Sequence, residues 1–144
     1  MIAVDTNVLV YAHRADSPHH ERASEVLRGL AAGRGTWAIP WPCLHEFLAV
    51  VTHPRIYRPP TTPAVAVEAV ESLLALPNLR LLSETTDHGS ILARLLHVPG
   101  AVGPKVHDAR IAAICLGHGV DALWSADRDF SWFPELRVLN PLTG

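Results

Sequence analysis

Four carboxylates in this chain stand at positions that could do chemistry together: Asp5, Glu46, Asp108 and Asp127. Asp5 ends the apolar run Met1-Ile2-Ala3-Val4, and Asp127 follows a second one, Ala122-Leu123-Trp124-Ser125. Asp108 opens an apolar helix, and Glu46 lies in the first turns of another. Helix N-termini favour negative charge, so each acid is locally stable where it stands. Gathering four in one cleft is a different matter, because like charges push up one another's pKa unless a cation intervenes. An oxygen-only donor set with open positions suits Mg²⁺ or Mn²⁺. Such an ion lowers the pKa of a bound water, orients it at a phosphorus and stabilises the leaving oxygen. Each acid also has an ordinary job open to it. Asp5 could be a helix N-cap, Glu46 a solvated helix residue, Asp108 a cap or dipole partner, and Asp127 with Asp129 an Asx turn. The metal expectation rests on all four falling at consistent places in one architecture.

The elements that must position them alternate along the chain. Ile2-Ala3-Val4 reads as a buried strand without polar alternation. Val8 to Ala12 continues as a first helix, with Thr6 or Asn7 available as its cap. Asp16-Ser17-Pro18 is a turn. Residues 19–32 form an amphipathic helix with Ala23, Val26, Leu27 and Leu30 on one face, ended by Gly33 and Gly35. Thr36-Trp37-Ala38-Ile39 is a second strand closed by Pro40. Pro42 suits the first turn of a third helix, with Leu44, Phe47, Leu48 and Val51 inward and Glu46 flanking them. After a Pro/Arg loop, residues 55–63, a fourth helix runs from Thr62-Pro63 through Val67, Val70 and Leu74. Leu79 to Leu82 is a third strand, and residues 87–96 are a fifth helix. A Gly/Pro loop, residues 99–104, precedes a sixth helix that is apolar nearly all round, from Lys105 to Gly117. Residues 122–125 and 137–139 are the last strands. This alternation predicts a parallel sheet covered on both faces, with right-handed crossovers.

Composition excludes several classes. The 144 residues are 49% hydrophobic and 18% charged, which argues against general disorder and gives room for one full core. No apolar run is long enough to span a membrane, and no basic segment precedes the N-terminal apolar residues, so a cytoplasmic location is expected. Cys43 and Cys115 form no CxxC or disulfide framework and read as small buried hydrophobes. The net charge of −2 counts against a nucleic-acid binder, although two bound divalent cations would bring the total to about +2.

Several stretches carry a resemblance: residues 4–12, Val-Asp-Thr-Asn-Val-Leu-Val-Tyr-Ala; Glu46 in its helix; residues 107–113, His-Asp-Ala-Arg-Ile-Ala-Ala; and residues 124–130, Trp-Ser-Ala-Asp-Arg-Asp-Phe. In these the chain resembles the PIN domain family, in particular the VapC-type toxins of bacterial toxin–antitoxin pairs. The resemblance runs through almost the whole chain in the same order. It implies a single domain, 1–144, folded as a three-layer α/β/α sandwich around a central, mostly parallel sheet of four to five strands. It implies that Asp5, Glu46, Asp108 and Asp127 are the catalytic, metal-binding acids, with Asn7, Ser125 and Asp129 auxiliary. Ser125 would orient an acid or a water, and Asp129 could itself be a ligand. The implied activity is a Mg²⁺- or Mn²⁺-dependent endoribonuclease leaving 5′-phosphate and 3′-hydroxyl ends, acting on structured RNA such as tRNA or rRNA. The implied partners are a second copy of the chain and a small antitoxin that plugs the acidic cleft. Single-stranded loops splay their bases, so Tyr57 and Trp41 are candidates for stacking and Arg55, Arg58 and Arg110 for substrate contact.

Other readings are weaker. His45-Glu46 begins like HExxH, but position 49 is Ala49, and none of the nine histidines completes a zinc spacing. A haloacid-dehalogenase-like phosphatase needs a second Asp two residues after the first, and that residue is Asn7. The remaining alternative is a catalytically silent PIN-like module that binds RNA or protein; loss of an acid would mark it, and all four are present.

Overall fold

A computed structural model describes residues 1–143 and places five parallel strands in one sheet. They are β1 (Ile2–Val4), β2 (Trp37–Pro40), β3 (Leu79–Leu82), β4 (Ala122–Trp124) and β5 (Val138–Leu139), in the order β3-β2-β1-β4-β5. The sheet is wholly parallel, where a mostly parallel one was expected. Parallel strands need crossovers, and helices supply them: α1 (Thr6–His13), α2 (His20–Ala32), α3 (Trp41–Val51), α4 (Pro63–Leu74), α5 (His88–Leu95) and α6 (Lys105–Gly117). A 3₁₀ turn covers Arg128–Trp132. Helix α1 packs on α2 and α3, and α3 on α4; α5 packs on α6, which lies against β2 and the 3₁₀ turn. The result is a three-layer sandwich. Among the described residues no helix is long and apolar enough to cross a membrane.

The strand order decides where a site can form. The chain lays β2 and β3 on one side of β1, then crosses to lay β4 and β5 on the other. The carboxyl ends of β1 and β4 therefore flank the switch point, where such sheets hold their ligands. Register does the fine placement. Val4 pairs with Trp124, so the next residues, Asp5 and Ser125, leave the sheet side by side. The core beneath is close-packed, with Trp37, Ile39, Phe47, Ile114, Leu123 and Phe133 almost fully buried. Helix α6 is inaccessible from Ile111 to Cys115, in line with its apolar sequence.

Three expectations shift. Neither Thr6 nor Asn7 caps α1: the helix begins at Thr6, Asp5 takes the N-cap position, and its side chain makes no capping bond. The reason is chemical, since those side chains are engaged across the sheet edge. The inward face of α4 is Ala66 and Val70 with Leu73 half-buried, while Val67 is 46% and Leu74 42% exposed. Glu68, Glu71 and Ser72 form the exposed polar stripe of this helix, and the face opposite it is Ala66, Val70 and Leu73; the expected face leaned on the larger Val67 and Leu74, which flank it. The segment after Asp127 turns into a 3₁₀ helix that periodicity did not indicate, because five residues are too few to show a period.

The Pro/Gly loop before α6 has one demanding position. Gly100 has φ +86°, and a Cβ there would meet the Trp132 ring at 2.8 Å. Only glycine satisfies both the left-handed backbone and that contact.

The phase of α4 is open to a direct test. Val70→Ala removes buried methyls and is expected to cost about 2 kcal/mol. Val67→Ala on the exposed side is expected to stay within about 0.5 kcal/mol of wild type. Urea denaturation of the two variants checks this; equal losses would mean that the helix is rotated.

Candidate active site

The site begins with an acid that the sheet buries. Asp5 is 4% exposed, and its backbone N–H donates to the Trp124 carbonyl at 3.0 Å, which extends the β1–β4 ladder one step. Ser125 Oγ donates to Asp5 Oδ2 at 2.7 Å, and Cys43 Sγ donates to Oδ1 at 3.5 Å. Burial pushes the Asp5 carboxyl above its ordinary range; the bonds from Ser125, the Thr6 backbone and Cys43 pull the other way.

Ser125 is the hub of this edge. Its oxygen also accepts from the Asp127 backbone N–H at 2.9 Å and from Asn7 Nδ2 at 3.4 Å. With those two donors on its lone pairs, the single hydroxyl proton is left for Asp5. Asn7 closes the ring by accepting from the Ala126 N–H at 3.2 Å. Asn7 and Ser125 thus hold the β1 and β4 termini together, and Ser125 orients an acid.

The other three acids arrive from different elements. Asp127 lies just past β4, where its Oδ1 accepts from the Asp129 N–H at 2.8 Å. That is the Asx turn; it occupies one oxygen and coexists with a place in the cleft. Asp108 sits in the first turn of α6, and its carboxyl is pushed up to about 6, by burial first and then by Asp127 and Asp129, with Lys105 opposing. Glu46 reaches in from an otherwise exposed position on α3; partial burial and then the charges of Asp5, Asp108 and Asp127 raise it. All four line one cleft of about 190 Å³, together with Asn7, Tyr11 and Tyr57.

The Asp129 carboxylate meets Lys105 Nζ at 2.9 Å and does not line the cleft, although its charge reaches Asp108. Arg55 and Arg58 are exposed on the loop after α3. Arg110 is bound to Glu84 through Nε at 2.9 Å and a second nitrogen at 2.7 Å. Tyr57 lines the cleft with the Arg14 guanidinium 4.4 Å from its ring centre, whereas Trp41 is half-buried beside His45 and does not line it. Sequence reasoning missed Tyr11 and the Cys43 contact. Both had a helical signal: Tyr11 lies one turn beyond Asn7, and Cys43 one turn before Glu46, on the same faces.

The donor set fits a hard cation. Among the described residues, the ion pairs engage Asp16, Glu25, Glu84, Asp121, Asp129 and Glu135, and none of the four cleft acids. Four carboxylates around one cleft with no ion-pair partner among the described residues leave a deficit of positive charge there. Among the described residues no three His, Cys, Asp or Glu side chains close on a single point that could hold an ion. The acids face a shared space instead, as suits an ion that keeps several waters and takes one or two carboxylates.

The strain at Asp108 has a measurable sign. Its folded pKa lies above its ordinary 3.8, so ionisation disfavours the folded state. In metal-free protein that cost is absent below about pH 4, grows up to about pH 6 and is complete above it. Asp108→Asn is therefore expected to melt above wild type in EDTA at neutral pH, with the margin vanishing as pH falls to about 4. Thermal melts across pH check this; a pH-independent margin would rule out the charge effect.

Comparison with known proteins places this geometry. The PIN domain family model matches residues 2–136. Ribonuclease VapC43 of Mycobacterium tuberculosis is 39% identical over 145 residues, covering 100% of this chain and 97% of the relative. Ribonuclease VapC48 of the same organism is 34% identical over 140 residues, covering 97% of each. Among solved structures, that of VapBC2 from Rickettsia felis bound to a DNA fragment from its promoter superimposes with a TM-score of 0.71 at 20% identity. It covers 97% of this chain and 98% of that one, which shows the shared fold. With its switch-point cleft, its ordered motifs and these full-length relatives, the chain belongs to the PIN domain family, among the VapC-type proteins.

Proposed function

We propose that this chain is a metal-dependent endoribonuclease, the toxin of a type II toxin–antitoxin pair, and that Asp5, Glu46, Asp108 and Asp127 are its metal-holding acids. The observation that carries the reading is the set of four acids without cationic partners around one cleft at the switch point. Relatives named ribonucleases across the full chain length support it. The relatives' kind of activity is divalent-metal dependent; Mg²⁺ is the proposed ion, with Mn²⁺ able to substitute. When bound, such an ion supplies an activated water and stabilises the leaving 3′-oxygen of a phosphodiester.

The chain's own residues do the positioning. Ser125 fixes the rotation of Asp5 by donating to Oδ2, and Cys43 holds Oδ1. Asp127 keeps one oxygen on the Asp129 N–H and turns the other side to the cleft. Asp108 and Glu46 face it from α6 and α3. Asn7 and Ser125 are auxiliary through these contacts, and Asp129 through Lys105, which it holds one turn before Asp108. Tyr11 and Tyr57 give the cleft an aromatic wall on which an unpaired base can stack. Arg55 and Arg58 are the proposed phosphate contacts beside Tyr57, and Arg110 reaches RNA only by leaving Glu84. The proposed substrates are structured RNAs such as tRNA or rRNA, cut in single-stranded loops. The proposed partners are a cognate antitoxin and a second copy of the chain, in the cytoplasm. A structure titled a toxin–antitoxin complex from Klebsiella pneumoniae, similar in fold at a TM-score of 0.64 and 18% identity, supports the antitoxin.

Two outcomes follow. Asp5→Asn is expected to lower RNA cleavage at least ~10²-fold, because it removes several kcal/mol of charge-based stabilisation. The check maps the 5′-phosphate ends of a total RNA pool cut by wild type and variant, with Mn²⁺ and with EDTA. Discrete cuts that need both metal and Asp5 support the nuclease; undiminished cutting by Asp5→Asn rejects it. Mg²⁺ is also expected to raise the melting temperature, by about 2.7 kcal/mol of stability at a hundredfold excess over its dissociation constant. An unchanged melting temperature would turn the reading toward a silent binding module.

A further inference from the structure

The acidic cleft is too small for the chain it is proposed to cut. Its volume of about 190 Å³ lies below the ~300–1,000 Å³ of sites that enclose a drug-sized molecule. It accommodates a phosphate and the ions beside it. An endonuclease must also hold nucleotides next to the bond it breaks, so they need room outside the cleft. A groove of about 540 Å³ opens alongside and shares Asp127 and Phe130 with the cleft. It runs between the 3₁₀ turn and β5. Its floor is apolar where Ala126, Pro134 and Val138 reach the surface, over the buried side chains of Phe130, Phe133 and Leu136. Its rim is polar and carries Arg128, Ser131 and Asn140. Strand β5 is the edge of the sheet, so its outer backbone groups are available there.

Charge decides what such a groove takes. Lys105, Arg110, Arg94 and Arg14 each lie against a carboxylate. Arg128 is exposed and, among the described residues, makes no ion pair. It follows directly after Asp127, at the junction of cleft and groove. A cation at the junction calls for a phosphate, and an apolar floor calls for a flat ring.

We propose that this groove is the subsite for a nucleotide of single-stranded RNA next to the scissile phosphate, with Arg128 on the nucleotide's own phosphate and the base over the apolar floor. The strand must be unpaired, since a stacked and paired base cannot enter a groove. The inference rests on the ribonuclease reading and adds to it the path of the substrate.

The test uses the full-length Asp5→Asn protein, so that RNA is held uncut, with fluorescein-labelled octamers of uridylate and of adenylate followed by anisotropy. Adding Arg128→Ala is expected to weaken binding about tenfold. It should also flatten the dependence of log K on log salt by about 0.7, the signature of one phosphate contact on a single strand. Adding Ser131→Leu, which narrows the groove at an exposed position, is expected to weaken binding with the salt slope unchanged. Unaltered affinity for both octamers in both variants overturns the proposal, as does no measurable binding of either octamer. Cleavage of the RNA pool by wild type and Arg128→Ala, both otherwise intact, separates the two readings. Weakened binding in the groove variants without any Asp5-dependent cleavage by wild type keeps the groove and rejects the nuclease. Asp5-dependent cleavage with unaffected binding does the reverse.

Discussion

Everything at the active edge depends on keeping one carboxylate, Asp5, out of water without a counter-charge. Burying a charge is costly unless hydrogen bonds replace the lost water. Here the replacements are a serine hydroxyl, a cysteine thiol and a backbone N–H, all neutral donors. They fix the direction of the group without neutralising it. Had an arginine taken that place, the acid would be more comfortable and the cleft would have lost its pull on a cation. The parallel register is what makes neutral donors available, because it sets Ser125 beside Asp5 with no side chain between them.

The positive side chains nearby are handled in a complementary way. Lys105 lies one turn before Asp108 and would quench it if free, but its ammonium is held by Asp129 and lies over Trp132. Arg14 is turned back on Asp16 and against the Tyr57 ring, where it stiffens the aromatic wall instead of entering the cleft. Both cations are thus held at the margin of the site, and the centre of the cleft keeps its negative charge. The pairs are mostly exposed and each is worth little for stability. Their effect is on where charge sits.

How much of this was legible in the sequence varies with the physics behind each feature. Strands β1 to β4 were readable because short apolar runs bounded by Gly, Pro or Asp have few other uses. The four acids were readable because topology, common to the whole sheet, puts strand ends and helix starts together. Ser125 and Asn7 were indicated by family resemblance; what the sequence could not say is that they bond to each other across 118 positions. The rotation of α4 was marked by its polar stripe, Glu68, Glu71 and Ser72, but the expected face followed the larger Val67 and Leu74 in place of Ala66. The fate of Arg110 was not legible. Whether an arginine meets RNA or a glutamate depends on the position of Glu84, which no local pattern reports. Cys43 was read as a buried hydrophobe, and it is buried; that its thiol also donates to Asp5 depends on how α3 meets β1, which no local pattern reports.

The central place of β1 has a consequence for when the protein can act. The first strand made lies in the middle of the sheet, and one of its neighbours, β4, is made near the end of the chain. During synthesis, β1 waits with one side unpaired, and Asp5 waits without its serine. Chains grow at about 5–20 residues per second, so several seconds separate the first acid from the last. A partial chain carries two or three of the acids and none of the hub that aligns them. The proposed activity would thereby be withheld until β4 has been made and Ser125 can reach Asp5.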